Sequence, residues 1–185
     1  MPVGPVFLGG IMLQTKTWRR VASWLIPFGL AAFLGTGFAN AATIVALGAS
    51  NTFGRGVARG QAYPAQLEAL LRARGHNVRV VNAGINGDTT GGMLRRLDQA
   101  VPNGTAAVIL QPGGNDRRKG VGADRAANIA AIQNRLSARG IKTIMMENHM
   151  FRGLPHQPDG QHLTPEGYRA LAGSILPRVE SAIGR

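Results

Sequence analysis

The sequence predicts an α/β fold built on a doubly wound parallel sheet. Two observations carry this: short β-branched or apolar runs alternate with stretches of helical periodicity, and no internal repeat or interdomain linker interrupts them. At 185 residues with an ordinary apolar content, one folded domain is the expectation. Thr43–Leu47 is the first strand, ended by Gly48. Tyr63–Arg74 places Leu67, Leu70 and Leu71 at helical spacing and stops at Gly75 in a C′ position. Asn77–Asn82 is a second, β-branched strand, and Thr89–Ala100 a helix with Met93, Leu94 and Leu97 inward. Ala106–Leu110 is a third strand. Asp124 is placed to cap a long helix through Arg139, with Ala127, Ile129, Ala130, Ile132 and Leu136 as its apolar positions and Gly140 as its stop. Ile141–Met146 is the fourth strand. Thr164 and Pro165 supply an N-cap and first-turn proline for a last helix containing Tyr168, Leu171 and Ile175. The sheet is therefore expected to have about four strands.

The first 41 residues read differently. Lys16, Arg19 and Arg20 precede the apolar run 21–38, and Ala39-Asn40-Ala41 sets small residues at −3 and −1 of a cleavage site. This is the layout of a secretory signal peptide. Met12 heads a signal of more usual length, so residues 1–11 are read as an upstream start artefact. A retained anchor is the other reading of an apolar run this long, but Pro27 and several glycines weaken a spanning helix. The expectation is export, to the periplasm or the medium, of a domain over residues 42–185 with no membrane span left. Removing residues 1–41 takes away three bases and no acid, so the formal charge falls by three from +12 to +9. The remaining arginines are dispersed and not interleaved with aromatic residues, so nucleic acid is not an expected partner. With no cysteine, disulfides, thiolate metal sites and a cysteine nucleophile are excluded.

Crossovers between parallel strands are right-handed, so the carboxyl ends of all the strands, and the loops leaving them, share one edge. Four such loops carry chemistry. The first is Gly48-Ala49-Ser50-Asn51-Thr52, a hydroxyl on a strand-to-helix turn. The second is Asn82-Ala83-Gly84-Ile85-Asn86-Gly87-Asp88-Thr89, where glycine lets backbone approach a ligand. The third, Gly113-Gly114-Asn115-Asp116, offers a neutral amide donor. The fourth, Asp159-Gly160-Gln161-His162, spaces a carboxylate three residues from an imidazole, close enough to fix its tautomer. Together they fill the roles of acyl transfer. Ser50 is the candidate nucleophile, His162 its base and Asp159 the orienting carboxylate. The N–H groups of Ser50 and Gly84 and the Asn115 amide are candidate oxyanion donors. Taken singly, Gly84 is a turn glycine, Asn115 a capping residue and Asp159-Gly160 a turn pair. His149 and His156 are alternative bases, His76 is expected to be exposed, and a His149/His156/His162 metal cluster stays open, although no firm ligand motif such as HExxH accompanies it.

The four segments together resemble the blocks of the SGNH hydrolase (GDSL esterase/lipase) family: Ser50 in GASNT, Gly84 in NAGINGDT, Asn115 in GGND, and Asp159 and His162 in DGQHLTPEGY. The resemblance spans the chain beyond residue 41 in the family's order. It is nearest to the small secreted thioesterase/lysophospholipase type. It implies a flavodoxin-like three-layer sandwich and a serine esterase that hydrolyses carboxylic esters or thioesters of small-molecule substrates, with neither metal nor cofactor. Two positions depart from the pattern. Ala49 stands where the family has an acidic residue, removing any support that residue gives the turn. Only residues 148–158 separate the fourth strand from Asp159, where family members carry a further helix and strand. A reduced sheet, a shallower groove and short acyl groups are expected from that shortening. Arg117, Arg118 and Arg152 are expected near the mouth of the site, where they would favour anionic leaving groups. The alternatives are a non-catalytic flavodoxin-like module that cradles phosphate in its SNTFGRG loop, and a degenerate esterase acting as a basic surface protein.

Overall fold

In the computed structural model, which describes residues 41–184 together with Met1 and Gly9, the first strand β1 spans Ala42–Gly48. The chain divides into two compact units, Met1–Gly37 and Phe38–Arg185. The expected signal segment over residues 1–41 lies outside the described residues, apart from Met1, Gly9 and Ala41. After β1 come α1 (Ser50–Phe53), α2 (Tyr63–Ala73), β2 (Val78–Gly84), α3 (Thr90–Arg95), α4 (Leu97–Ala100) and β3 (Thr105–Gln111). Then follow α5 (Asn115–Arg118), α6 (Arg125–Ala138), β4 (Lys142–Met145) and α7 (Pro165–Ile183). No helix among the described residues is long and apolar enough to cross a membrane.

The four strands form one parallel sheet in the order β2-β1-β3-β4. Both faces of the sheet are covered, which explains why β1 and β3 are apolar without alternation. Ile44 and Ala46 of β1, with Ala107 and Ile109 of β3, pack under Tyr63, Leu67 and Leu71 of α2 and Tyr168, Leu171 and Ile175 of α7. The intervening residues Val45, Leu47, Val108 and Leu110 turn to the other face. There they meet Met93, Leu97, Ile132 and Leu136 from α3, α4 and α6. Every one of these side chains is fully buried, so each contributes roughly 1.5–3 kcal/mol of apolar transfer if an alanine is excepted.

The strand ends are level with one another. Gly48 at the end of β1 pairs with Gly84 at the end of β2 and with Gln111 at the end of β3. The loops that follow therefore leave the sheet at one height, which is what brings residues 50, 84 and 115 to a common edge.

Three details differ from the sequence expectation. The helix expected over 89–100 is two helices meeting at Arg96. Gly91 and Gly92 leave α3 with low helix propensity, and the Arg96 guanidinium reaches back to Asp88 Oδ2 at 2.8 Å and to the Gly48 carbonyl at 3.2 Å. Asp124 makes no capping bond. It closes a 3-10 turn, Gly122–Asp124, with φ −84° and ψ −7°, so its backbone is already wound and lacks the extended geometry of an N-cap. On α6, Ala127 and Ala130 face solvent, and burial falls on Ile132 and Leu136. By contrast, Thr164 caps α7 as expected, its Oγ1 accepting from Gly167 N at 3.2 Å with Pro165 in the first turn.

Candidate active site

Ser50 opens α1 immediately beyond the end of β1 and is only 8 % exposed. The turn that presents it is held by Gln111. The Gln111 Oε1 accepts the N–H of Ala49 at 3.2 Å and the hydroxyl of Thr52 at 3.1 Å. Because the Ala49 N–H can only donate, the amide orientation of Gln111 is fixed by this contact. The support expected to be lost with an acidic residue at position 49 is thus supplied by a side-chain amide from the neighbouring strand.

His162 reaches this hydroxyl, with its Nε2 2.9 Å from Ser50 Oγ. Its Nδ1 lies 2.5 Å from Asp159 Oδ2. The other carboxylate oxygen of Asp159 accepts the backbone N–H groups of Gln161 and His162, each at 2.9 Å. The imidazole N–H first, and then these two backbone donors, hold the Asp159 carboxyl well below the usual carboxylate range. It therefore stays an anion and an acceptor for the Nδ1–H, so the proton of a neutral ring sits on Nδ1 and Nε2 faces Ser50 as an acceptor.

The short link from β4 delivers this histidine through a compact loop. A 3-10 turn over Asn148–Phe151 is followed by an antiparallel bridge between His156 and Leu163. Gln157 ties the bridge to the first loop, its Nε2 donating to the carbonyls of Arg55 and Leu163 at 2.8 Å each. Asn51 supplies a second tie: its Nδ2 donates to the Gln161 carbonyl at 3.1 Å and its Oδ1 accepts from Tyr168 Oη at 3.0 Å. Burial pushes the Tyr168 phenol up to about 12, so it remains a neutral donor.

Asn115 begins α5 and is 4 % exposed. Its Nδ2 donates to the Asp88 carbonyl at 2.7 Å and its Oδ1 accepts from Arg118 Nη2 at 2.5 Å. One hydrogen of the amide remains for a ligand. Ser50, Asn115 and His162 line one cavity of about 350 Å³, closed on one side by Asn148, Phe151 and Arg152 from the short link.

Gly84 is not brought into this group. Its N–H donates to Asn82 Oδ1 at 3.0 Å, and it lines a separate depression with Val81, Ile85 and Arg96. The room a glycine leaves is used by α1: a Cβ on Gly84 would stand 2.2 Å from Phe53 N and 2.6 Å from Thr52 C. Further along the same loop, Gly87 has an N–H with no acceptor among the described residues and directly precedes the carbonyl that Asn115 grips. Gly87 has φ +74°, a left-handed turn that favours glycine. Both glycines were visible in NAGINGDT; only the register of the strand end tells them apart.

The remaining histidines have other partners. His149 is exposed and pairs with Glu147 Oε2 at 3.2 Å. His156 lines the cavity and turns its Nδ1 to the Leu154 carbonyl at 2.7 Å. His76, expected in solvent, is half-buried against Glu180 Oε1 at 3.2 Å. Of the three arginines expected at the mouth, Arg118 and Arg152 line the cavity and Arg117 does not. A hydroxyl, an imidazole and a carboxylate in this sequence of contacts are the components that turn a weak hydroxyl into a nucleophile for acyl transfer.

Comparison with known proteins shows the family and the fold. The sequence pattern of the GDSL-like Lipase/Acylhydrolase family matches residues 46–170. Esterase TesA of Pseudomonas aeruginosa is 34 % identical over 156 residues, covering 83 % of this chain and 75 % of that protein. A crystal structure of TesA shares the fold with a TM-score of 0.67 at 23 % identity, over 76 % of this chain and 99 % of that one. AlinE4, an SGNH-hydrolase family esterase, is 30 % identical with a TM-score of 0.54, over 78 % of this chain and 73 % of that one.

Proposed function

The chain belongs to the GDSL-like lipase/acylhydrolase family and is an esterase of the GDSL type, and on that premise we propose that it cleaves short-chain carboxylic esters or thioesters through a Ser50–His162–Asp159 triad. The observation that carries the reading is the 2.9 Å contact between Ser50 Oγ and His162 Nε2. Ser50 Oγ attacks the acyl carbonyl while His162 Nε2 takes its proton. Asp159 keeps the ring oriented and stabilises its charged form. The oxyanion is held by the N–H of Ser50, the free amide hydrogen of Asn115 and the N–H of Gly87. Collapse of the tetrahedral intermediate expels the alcohol or thiol, which takes the proton back from His162. Water then attacks the acyl-enzyme with His162 again as base and releases the acid.

The short-acyl preference rests on the cavity, whose volume of about 350 Å³ is bounded by the abbreviated link after β4. A phosphate-cradling role for the first loop would leave the Asp159–His162 contact without a purpose. Reaction of the purified protein with a labelled fluorophosphonate, followed by mapping of the adduct, tests the nucleophile. The adduct is expected on Ser50 and absent from Ser50→Ala; labelling of the variant would exclude this assignment.

Asn115→Ala is expected to lower kcat for a 4-nitrophenyl butyrate substrate by about 10²–10³-fold, the usual cost of one oxyanion donor. The decrease should fall on kcat more than on KM, since the donor acts on charge that develops in the transition state.

The proposal includes export. Its support is the basic, then apolar, then small-residue layout of residues 1–41. Expression of the full chain in a bacterial host should yield a mature protein beginning at Ala42. A purified chain that retains the apolar run would sink this part of the reading.

A further inference from the structure

The polar groups of the cavity share a direction. Four amide side chains line it, Asn51, Gln111, Asn115 and Gln161, and the oxygen end of each is already engaged within the protein. Gln111 Oε1 holds the Ala49 N–H and the Thr52 hydroxyl. Asn115 Oδ1 and Gln161 Oε1 both accept from the Arg118 guanidinium. Asn51 Oδ1 accepts from Tyr168. What they leave facing the cavity is N–H. Gln111 is the sharpest case, being 3 % exposed with no acceptor for its Nε2 among the described residues. That nitrogen is open to the cavity, where an acceptor on a ligand can meet it.

Charge points the same way. Arg118 and Arg152 line the cavity and no aspartate or glutamate does. Four arginines elsewhere in the domain meet carboxylates: Arg72 with Glu68, Arg74 with Glu180, Arg96 with Asp88 and Arg139 with Asp98. The carboxylates next to lining residues in the sequence are engaged elsewhere: Asp116 by Thr90, Glu147 by His149 and Asp159 by His162. Arg118 is held in place by Asn115 and Gln161, and Arg152 has no side-chain partner among the described residues. Asn148 at the rim and the second nitrogen of His156 are the exceptions, each free to accept or donate.

From this donor-rich lining, with two arginines and no carboxylate, we infer that the cavity holds an anion subsite, and that the preferred substrates carry a carboxylate or phosphate close to the scissile ester, read by Arg118, Arg152 and the Gln111 amide. The inference rests on the reading of Ser50 as the nucleophile only for where the ester lies, because the subsite is made by other residues. The negative group can belong to the acyl part or to the leaving group; the lining chemistry is the same for both.

Two matched ester pairs separate these sources. In the acyl arm, the mono-4-nitrophenyl ester of succinate is compared with 4-nitrophenyl pentanoate. In the leaving-group arm, 4-carboxyphenyl butyrate is compared with 4-carbamoylphenyl butyrate. The anionic member of at least one pair is expected to show about ten-fold higher kcat/KM, as suits a charge-assisted hydrogen bond. The ratio should shrink with added salt. It should collapse toward one in Arg152→Gln and Arg118→Gln and persist in Arg135→Gln, which removes the same charge from the exposed side of α6. Equal or faster turnover of the neutral member in both arms overturns the inference, as does a preference that survives both cavity variants. Calorimetric binding to Ser50→Ala keeps this test apart from that of the nucleophile. Tighter binding of the anionic ester supports the subsite whatever residue attacks, and equal binding of the two members overturns it.

Discussion

Ser50→Ala and His162→Ala are each expected to lower kcat for 4-nitrophenyl butyrate by about 10⁴-fold or more, and the double variant to lose little further. In the proposed triad the three groups act as one unit, so removing either partner disables the same step. Stability should hardly change. Ser50 Oγ hydrogen-bonds only His162 among the described residues, so its removal frees one partner, His162 Nε2, which lines the cavity. Asp159, left by His162→Ala, keeps its two backbone donors and is largely open to water. Unchanged thermal midpoints beside lost turnover are the result to look for. His149→Ala is the control, because its exposed ring pairs with Glu147 and stands outside the cavity. Wild-type turnover in both Ser50→Ala and His162→Ala would remove the triad from the mechanism.

Gly84→Ala should be the most damaging single methyl group in the domain. The added Cβ would stand 2.2 Å from Phe53 N and 2.6 Å from Thr52 C, and both are backbone atoms, which cannot rotate aside. α1 must shift, at a cost of about 1–3 kcal/mol for overpacking. Ser50 is the first residue of that helix and would move with it. A misplacement on the order of 1 Å costs about 10²-fold in rate, so activity should fall by at least that while substrate contacts from Arg118 and Asn115 persist. A variant with wild-type kcat and thermal midpoint would show that α1 has room that its present packing does not suggest.

Much of this site is legible in the sequence, because parallel topology sends every strand-end loop to one edge. Ser50, Asn115, Asp159 and His162 lie where their loops predict, and the sheet has the four strands expected. What the sequence hides is how neighbouring elements divide the work. The acidic residue absent at position 49 suggested an unsupported turn. The support comes from Gln111, a residue on a different strand, 62 positions away. Gly84 and Gly87 are equivalent in a one-dimensional reading. Gly84 closes β2, where its N–H is spent on Asn82, and Gly87 lies out in the turn. The cap expected at Asp124 failed for a similar reason, since a 3-10 turn had already wound the backbone before the helix began. Helix-end chemistry depends on the φ and ψ of a single residue, which composition does not encode.

The loop bearing His162 is fastened to the first loop by contacts that cross most of the domain. Ser50 and His162 are 112 residues apart, Asn51 and Tyr168 117, and Gln157 and Arg55 102. Loops of that span close late, since their entropy must be met before their contacts stabilise anything. A chain still growing from its amino end would hold Ser50 and Asn115 but lack His162 and the contacts that fasten the first loop. On the proposed triad, hydrolytic competence requires the segment bearing His162 to be docked against the first loop.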